Sequence, residues 1–431
     1  MHREDSEVNI LGLNAYWFGV SFMWNALHPI VLPIVLLAIV PENVKNTVYG
    51  LITFLGLMVA VVMQPLSGAL SDRTRHILGR RRPWVIVGTV LDLAFLAVIV
   101  MATSWWMIAV GYILLQFSSN LAHGPAQALL PDLVPKAQRG SAAGMKVLID
   151  MVGVIAAAIV SGRLMGADPG RVGLVILVVV GVLVAGMIWT VLTARERSTQ
   201  ASHKVALHLP AHPWQSFVGV DWRGNRDYTR LLLSRFLVLL GTYSLQSFGL
   251  YYLRDVVKVE NPARTASSLI AIIAVMVMLS SYPSGALSSR WGRKRMSLLS
   301  CGVTALAMVV LVFAPNTTTI LVTGCLIGLG MGAYSSVNWA WATELVPQGA
   351  AGKYLGLTNL ATAGAAASSR LMGPLIDLVN RQVSNAGYRL VFVIAAVGAV
   401  VALYVTSRMT EVSYPHPRRR RRDIAEPVAG H

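Results

Sequence analysis

Long apolar runs alternate with short polar breaks along almost the whole chain. Twelve such runs predict helices. Six fall near 13–38, 47–70, 84–103, 105–133, 141–164 and 172–193, and six more near 229–252, 265–287, 296–314, 318–346, 352–373 and 388–407. Each is close to the ~20 residues that a helix needs to cross the hydrocarbon of a bilayer. Residues 194–228, between the two sets, are polar and rich in Arg, His, Ser and Asp. The pattern therefore predicts a six-helix bundle over 1–193, a linker over 194–228, a second six-helix bundle over 229–407 and a basic tail over 408–431. The expected fold class is an all-α membrane protein.

Composition strengthens this picture. Hydrophobic residues make up 55% of the chain and charged residues only 13%, against ~25% charged in an average soluble protein. Little of the chain is left for a soluble domain. A net charge of +17 would suit nucleic-acid binding, but the basic residues sit at the ends of apolar runs rather than on one soluble surface. The expected partner is the lipid bilayer, with no nucleic acid. If the N-terminus is inside, Lys and Arg crowd the inner segments at 73–82, 195–230, 290–295 and 408–422, while the outer loops carry a scatter such as Lys45, Arg171, Arg254 and Lys258. The positive-inside rule then places both termini and the linker in the cytoplasm, in a plasma or inner membrane. The Arg418–Arg422 run reads as a solvated topology anchor that can also touch anionic lipid. Cys301 and Cys325 fall in separate, oppositely running spans and read as small packing residues. Met1–Glu7 is polar, so no cleavable leader is expected.

The two halves echo each other. Gly68-Ala-Leu-Ser-Asp-Arg at the end of span two returns as Gly285-Ala-Leu-Ser-Ser-Arg at the end of span eight. Asp132-Leu-Val-Pro returns as Glu344-Leu-Val-Pro, and Ser161-Gly-Arg-Leu-Met-Gly as Ser368-Ser-Arg-Leu-Met-Gly. Three echoes in one order and at nearly one spacing mark parallel repeats, a transporter signature in which the binding site lies between the halves near mid-bilayer.

The stretch from Gly68 to Trp84 is the most specific motif. Gly68 allows close helix approach, and Asp72 can pair with Arg73 or with a loop arginine such as Arg80 or Arg81. Such charges predict a latch that holds the halves together on the cytoplasmic side and releases as they rock. Asp132 and Glu344, at the ends of spans four and ten, join it as gate charges, with Arg139 and Arg73 or with Lys353 and Arg290.

On these residues the chain resembles the major facilitator superfamily over all twelve spans. Within it, Ser71-Asp72-Arg73 followed by Gly79-Arg80-Arg81-Arg82-Pro83 resembles the loop of sucrose–proton symporters, and Met63-Gln64-Pro65-Leu66 and Asn120–Asp132 fit the same group. Asp72-Arg73-Thr74-Arg75 with Gly79 and Arg82-Pro83-Trp84 is also similar to the wider glycoside–cation symporter group. The resemblance implies two six-helix bundles in the major facilitator fold, working by alternating access. Three positions depart from it: Gln116 and Gln127 stand where the sucrose symporters carry a span-four carboxylate and arginine. Gln64 stands where sodium-coupled relatives carry an aspartate. Glutamine binds a sugar hydroxyl but carries no proton.

Coupling must then come from elsewhere. Asp92 and Asp150 are the carboxylates deepest in their spans, and His123 can carry a proton near physiological pH. Asp92 also suits a structural interhelix pair, and Asp150 a local pair with Lys146 four residues earlier. His28, beside Pro29, reads as a helix break. Arg235, like Arg163 and Arg370, falls inside a predicted span. The repeated Arg163 and Arg370 read as an outer gate, as anchors for an anion, or as arginines reaching to the headgroups. Polar and aromatic residues on apolar spans predict the substrate path: Tyr16, Trp24, Asn25, Gln64, Gln116, Asn120, Gln127, Tyr243, Gln246, Tyr334, Asn338, Trp339 and Asn359. They suit a neutral polyol. The chain carries no phosphate-binding loop and no metal motif, so no cofactor is expected. The expected function is secondary transport of a sugar or glycoside with a proton, with an exporter of amphipathic compounds or a non-transporting assembly factor as alternatives.

Overall fold

The computed structural model describes residues 9–135, 138–194, 196, 224–314, 316–346 and 351–410. Its first half holds α1 (Ile10–Ile39), α2 (Lys45–Ser71), α3 (Arg82–Val100), α4 (Trp105–Leu133), α5 (Arg139–Ala167) and α6 (Val172–Thr193). The second holds α7 (Arg226–Asp255), α8 (Pro262–Trp291), α9 (Arg293–Val312), α10 (Thr317–Leu345), α11, broken into Ala351–Arg370 and Met372–Asn380, and α12 (Ala386–Ser407). Among the described residues, ten helices are long and apolar enough to cross a membrane by that measure alone. The more polar α4 and the broken α11 complete the twelve. Most of the linker and the Arg418–Arg422 run lie outside the described residues.

Local chemistry explains several helix starts. Asn9, Ser104, Asn261 and Asn316 each accept a backbone N–H of the first turn of the helix they precede. Pro29 interrupts α1 with a π-helical turn at Leu27–Val31, so the break expected beside His28 is present. The carbonyl of His28 accepts the Tyr49 hydroxyl at 3.0 Å. Outward residues such as Leu177, Leu192 and Val397 are exposed and apolar, as a lipid-facing surface requires.

The same helix pairs recur in both halves. α2 with α4, α3 with α4, α3 with α6, α1 with α6 and α1 with α5 reappear as α8 with α10, α9 with α10, α9 with α12, α7 with α12 and α7 with α11. The halves meet along α5 against α8 and α2 against α11, which are themselves symmetry-related contacts. Small residues make the approach possible: a Cβ on Gly162 of α5 would sit 2.5 Å from the Cβ of Ser267 of α8.

Candidate functional site

The motif after α2 folds into a brace within one half. Gly79 takes φ +94° and turns the loop so that Arg81 points back into the bundle. Its guanidinium donates to the Gly68 carbonyl at 3.1 Å and the Ser71 hydroxyl at 2.5 Å, and pairs with Asp72 at 2.5 Å and Asp132 at 3.0 Å. Arg80 adds a second bond to Asp132 at 2.9 Å. The second half repeats the device. Arg293 donates to the Gly285 carbonyl and the Ser288 hydroxyl, and pairs with Glu344 at 2.9 Å.

This corrects the expected latch in four respects. The charges tie α2, α3 and α4, or α8, α9 and α10, together, and none of these bonds joins one half to the other. Glu344 takes Arg293, while Arg290 is exposed. Arg139 donates to the carbonyls of Pro131 and Val134 rather than to Asp132. Arg73 is exposed and forms no ion pair among the described residues. The side chain of Lys353 lies outside the described residues.

The bonds that do join the halves gather at the opposite face. Asp377 of α11 accepts from the Thr47 backbone N–H at 2.6 Å, the Thr47 hydroxyl at 2.7 Å and the Asn46 amide at 2.8 Å, at the start of α2. The Asn46 amide also donates to the Tyr388 hydroxyl at 3.1 Å. That hydroxyl in turn donates to Asp255 at 2.8 Å. Lys45 pairs with Asp255 at 2.6 Å, and Arg254 with Glu42 at 2.7 Å. Beneath this network the backbones touch. A Cβ on Gly50 would lie 2.2 Å from the Arg370 carbonyl oxygen, and one on Gly373 would lie 2.1 Å from that of Asn46. At the brace face, by contrast, a Cβ on Gly68, Gly140, Gly144 or Gly356 would meet nothing within 4 Å. One face is sealed and the other open.

Between the halves lies a cavity of about 240 Å³, lined by Asn25 and Pro29 of α1, Met151 and Val154 of α5, Thr242 and Gln246 of α7, and apolar residues of α8. The first half also holds two polar groups, built from α1, α4 and α5. In one, Trp24 stacks on His28 at 4.7 Å between centroids, His28 Nε2 lies 2.6 Å from the Tyr112 hydroxyl, and Gln116 donates to that hydroxyl at 2.8 Å. Asn120 donates back to Gln116. In the other, Lys146 pairs with Asp150 at 2.7 Å and sits 4.0 Å over the Trp17 ring, whose edge meets His123 at 4.7 Å. Gln64 and Gln127 bond each other at 3.1 Å in a groove near the open face. Asp92 takes no part in the cavity: it is fully buried among α1, α3 and α4, accepts from Ser118 and leaves Oδ2 without a partner.

The second half contributes arginines. Arg235 of α7 donates to Thr362 of α11 and to Asn338 of α10, both at 2.9 Å. Asn338 donates to Tyr334, which bonds Ser234. Arg370 turns back along α11 to the Ala366 carbonyl at 3.1 Å. Asn359 lies three helical turns before Arg370 on the same face. Trp339 is exposed, one turn beyond Ser335 of the cavity lining. Arg163 is exposed, so the repeated arginines do not form a symmetric pair. Residues of the sealing network were not anticipated from sequence. They are single polar residues at or near helix ends, and only the packing that brings them together distinguishes them.

Two pseudo-symmetric bundles with a cavity between them, joined by polar bonds at one face, form the architecture of a membrane transporter. The family model described as Major Facilitator Superfamily matches residues 8–370, and the chain belongs to that superfamily. Residues of this chain are 26% identical over 168 residues to the proton-associated sugar transporter A of Homo sapiens, a match covering 36% of this chain and 22% of that protein. The chain thus spans well under two thirds of that relative. The multidrug resistance protein MdtG of Serratia proteamaculans is 22% identical over 327 residues, covering 74% of this chain and 75% of its own. A crystal structure of the peptide transporter POT superposes with a TM-score of 0.72 at 13% identity, covering 94% of this chain and 96% of that one. That likeness is one of fold.

Proposed function

We propose that this multi-pass membrane protein is a secondary active transporter for a small hydroxylated solute of the sugar or glycoside class, coupled to a proton. The open brace face would be cytoplasmic, as the Lys and Arg bias implies, and the membrane a plasma or inner membrane. One observation carries the reading: a carboxylate–ammonium pair, Asp150 with Lys146, sits partly exposed in the first half, a short aromatic step from His123. A proton on Asp150 would release Lys146, so the two protonation states of the pair differ in their local contacts. Asp92 suits this role less well, since it is fully buried. Half-buried Trp24 and Asn25, the latter in the cavity lining, offer a stacking face and an amide of the kind a hydroxylated ring needs. The match to a proton-associated sugar transporter supports the same class.

Radiolabelled sucrose, simple glucosides, sugar acids and sugar phosphates, offered to proteoliposomes under an imposed proton gradient, test the reading. Accumulation of at least one of them is expected in the wild type, and Asp150→Asn should abolish it while sparing solute exchange. Unchanged accumulation in Asp150→Asn would remove that residue, and no flux of any sugar would end the sugar reading. A second reading, export of amphipathic compounds, is favoured by the apolar α8 wall of the cavity and by the longer match to MdtG. Drug efflux without sugar flux in the same vesicles would select it.

A further inference from the structure

Two arginines reach the same stretch of α11. Arg235 reaches Thr362 from α7, and Arg370 folds back to the carbonyl of Ala366, four residues further on. Four helical residues span about 6 Å along the axis. Tyr243 of α7 lies within electrostatic reach of both. Neither arginine forms an ion pair among the described residues, whose ion pairs involve other groups. The side chains close enough to act on Arg235 are tyrosines, not carboxylates. The one carboxylate near the cavity wall on the opposite half, Asp150, is taken by Lys146.

Such an arrangement is costly without a counter-charge. Cations within a membrane span are expensive. Both keep donors free beyond the neutral acceptors they touch, because a guanidinium offers five N–H groups. Guanidinium forks match carboxylate and phosphate oxygens with two parallel bonds each.

We infer that Arg235 and Arg370 form a binding site for an anionic group on the transported solute, a carboxylate or phosphate, with Tyr243, Thr362 and Asn338 beside it. The solute is then a hydroxylated organic anion, such as a sugar acid or a sugar phosphate, rather than a neutral sugar. This inference rests on the transport reading above and narrows its substrate.

The test uses the purified full chain and matched probes: D-glucose, D-glucuronate and D-glucose 6-phosphate, each measured by direct binding and by thermal unfolding. An acidic probe is expected to bind and raise the unfolding temperature at concentrations where glucose does neither. Arg235→Gln and Arg370→Gln should each weaken acidic-probe binding at least tenfold, while the exposed Arg163→Gln leaves it unchanged. Because each is a span cation without a counter-charge, the ligand-free unfolding temperature of either glutamine variant should match or exceed that of the wild type. A structural arginine would instead lower it. Equal binding of glucose and glucuronate, or acidic-probe binding indifferent to both variants, overturns the site. Uptake of neutral glucosides with no response to either acid overturns it and leaves the transport reading standing. Silence from every sugar, neutral or acidic, ends both. Acid binding at the two arginines without gradient-driven uptake keeps the site and ends the coupled-transport reading.

Discussion

Replacing Asp377 by alanine should unseal the closed face. The residue is 4% exposed and takes three hydrogen bonds from Asn46 and Thr47 across the boundary between halves. Thr47 is the third residue of α2, a helix whose preceding residue, Val44, offers no side-chain cap. A carboxylate from the opposite half therefore caps α2 and meets the positive end of its dipole. Hydrogen bonds to a charged group contribute about 1.5–3 kcal/mol, and a charge at a helix N-terminus about 0.3–1 kcal/mol more. When that face opens, water takes over the freed groups, so the whole loss falls on the sealed state. A loss of about 3 kcal/mol shifts the equilibrium roughly 100-fold toward opening. The assay is the reaction of a cysteine at Asn25, in the cavity lining, with a membrane-impermeant maleimide added from the sealed side, after Cys301 and Cys325 have been replaced by alanine. Its rate scales with the opened population and should rise by up to that factor. Asp377→Asn, which keeps one acceptor oxygen, should fall in between. An Asp377→Ala rate equal to that of the wild type would refute the capping argument.

The same labelling rate reports two further expectations, and thermal unfolding reports a third. Gly50→Ala and Gly373→Ala each push a methyl against a backbone carbonyl at 2.2 and 2.1 Å, which a backbone cannot yield cheaply, so both should raise the rate strongly. A rate unchanged in both would mean that α2 and α11 do not meet as described. Glu42 is held below its ordinary value near 4.5, first by the bond from Arg254 and then by Lys45, against the opposing pull of its partial burial. A lowered carboxylate stabilises the sealed state above its free value and loses that contribution as pH falls through the lowered one. Labelling, divided at each pH by the rate of a freely accessible reference thiol because maleimide reacts with the thiolate, should therefore be flat from pH 7.5 to 5.5 and climb below about 4.5, less steeply in Glu42→Gln; a climb that begins near neutrality would point to another group. In the brace, Arg293→Ala strands Glu344 and should cost about 3 kcal/mol of thermal stability, whereas Arg290→Ala should cost almost nothing. Equal losses would contradict the assignment.

The apolar rhythm placed all the spans because bilayer thickness constrains length directly, and the Gly-Ala-Leu-Ser echo located both braces. Residue-by-residue echo misled at one point. The loop after α8 is shorter than the loop after α2, so register aligned Arg73 with Arg290, while the guanidinium doing the equivalent task as Arg81 is Arg293. His28 and Pro29 announced the break in α1 because proline chemistry is local. The sealing network was not legible, since Lys45, Asn46, Asp255, Asp377 and Tyr388 are far apart in sequence and ordinary at helix ends. Arg235 was visible as a charge within a span, but that it bonds Thr362 and Asn338 and meets no carboxylate is a property of packing.

The two braces also differ in redundancy. The first half holds two arginines against two carboxylates, so losing either Arg80 or Arg81 leaves Asp132 a partner. The second half, with Ser289 where Asp72 would stand, rests on one arginine and one carboxylate. A single inherited change at Arg293 or Glu344 would leave that half with no spare, so chance substitution should be tolerated unevenly across a scaffold that looks evenly built.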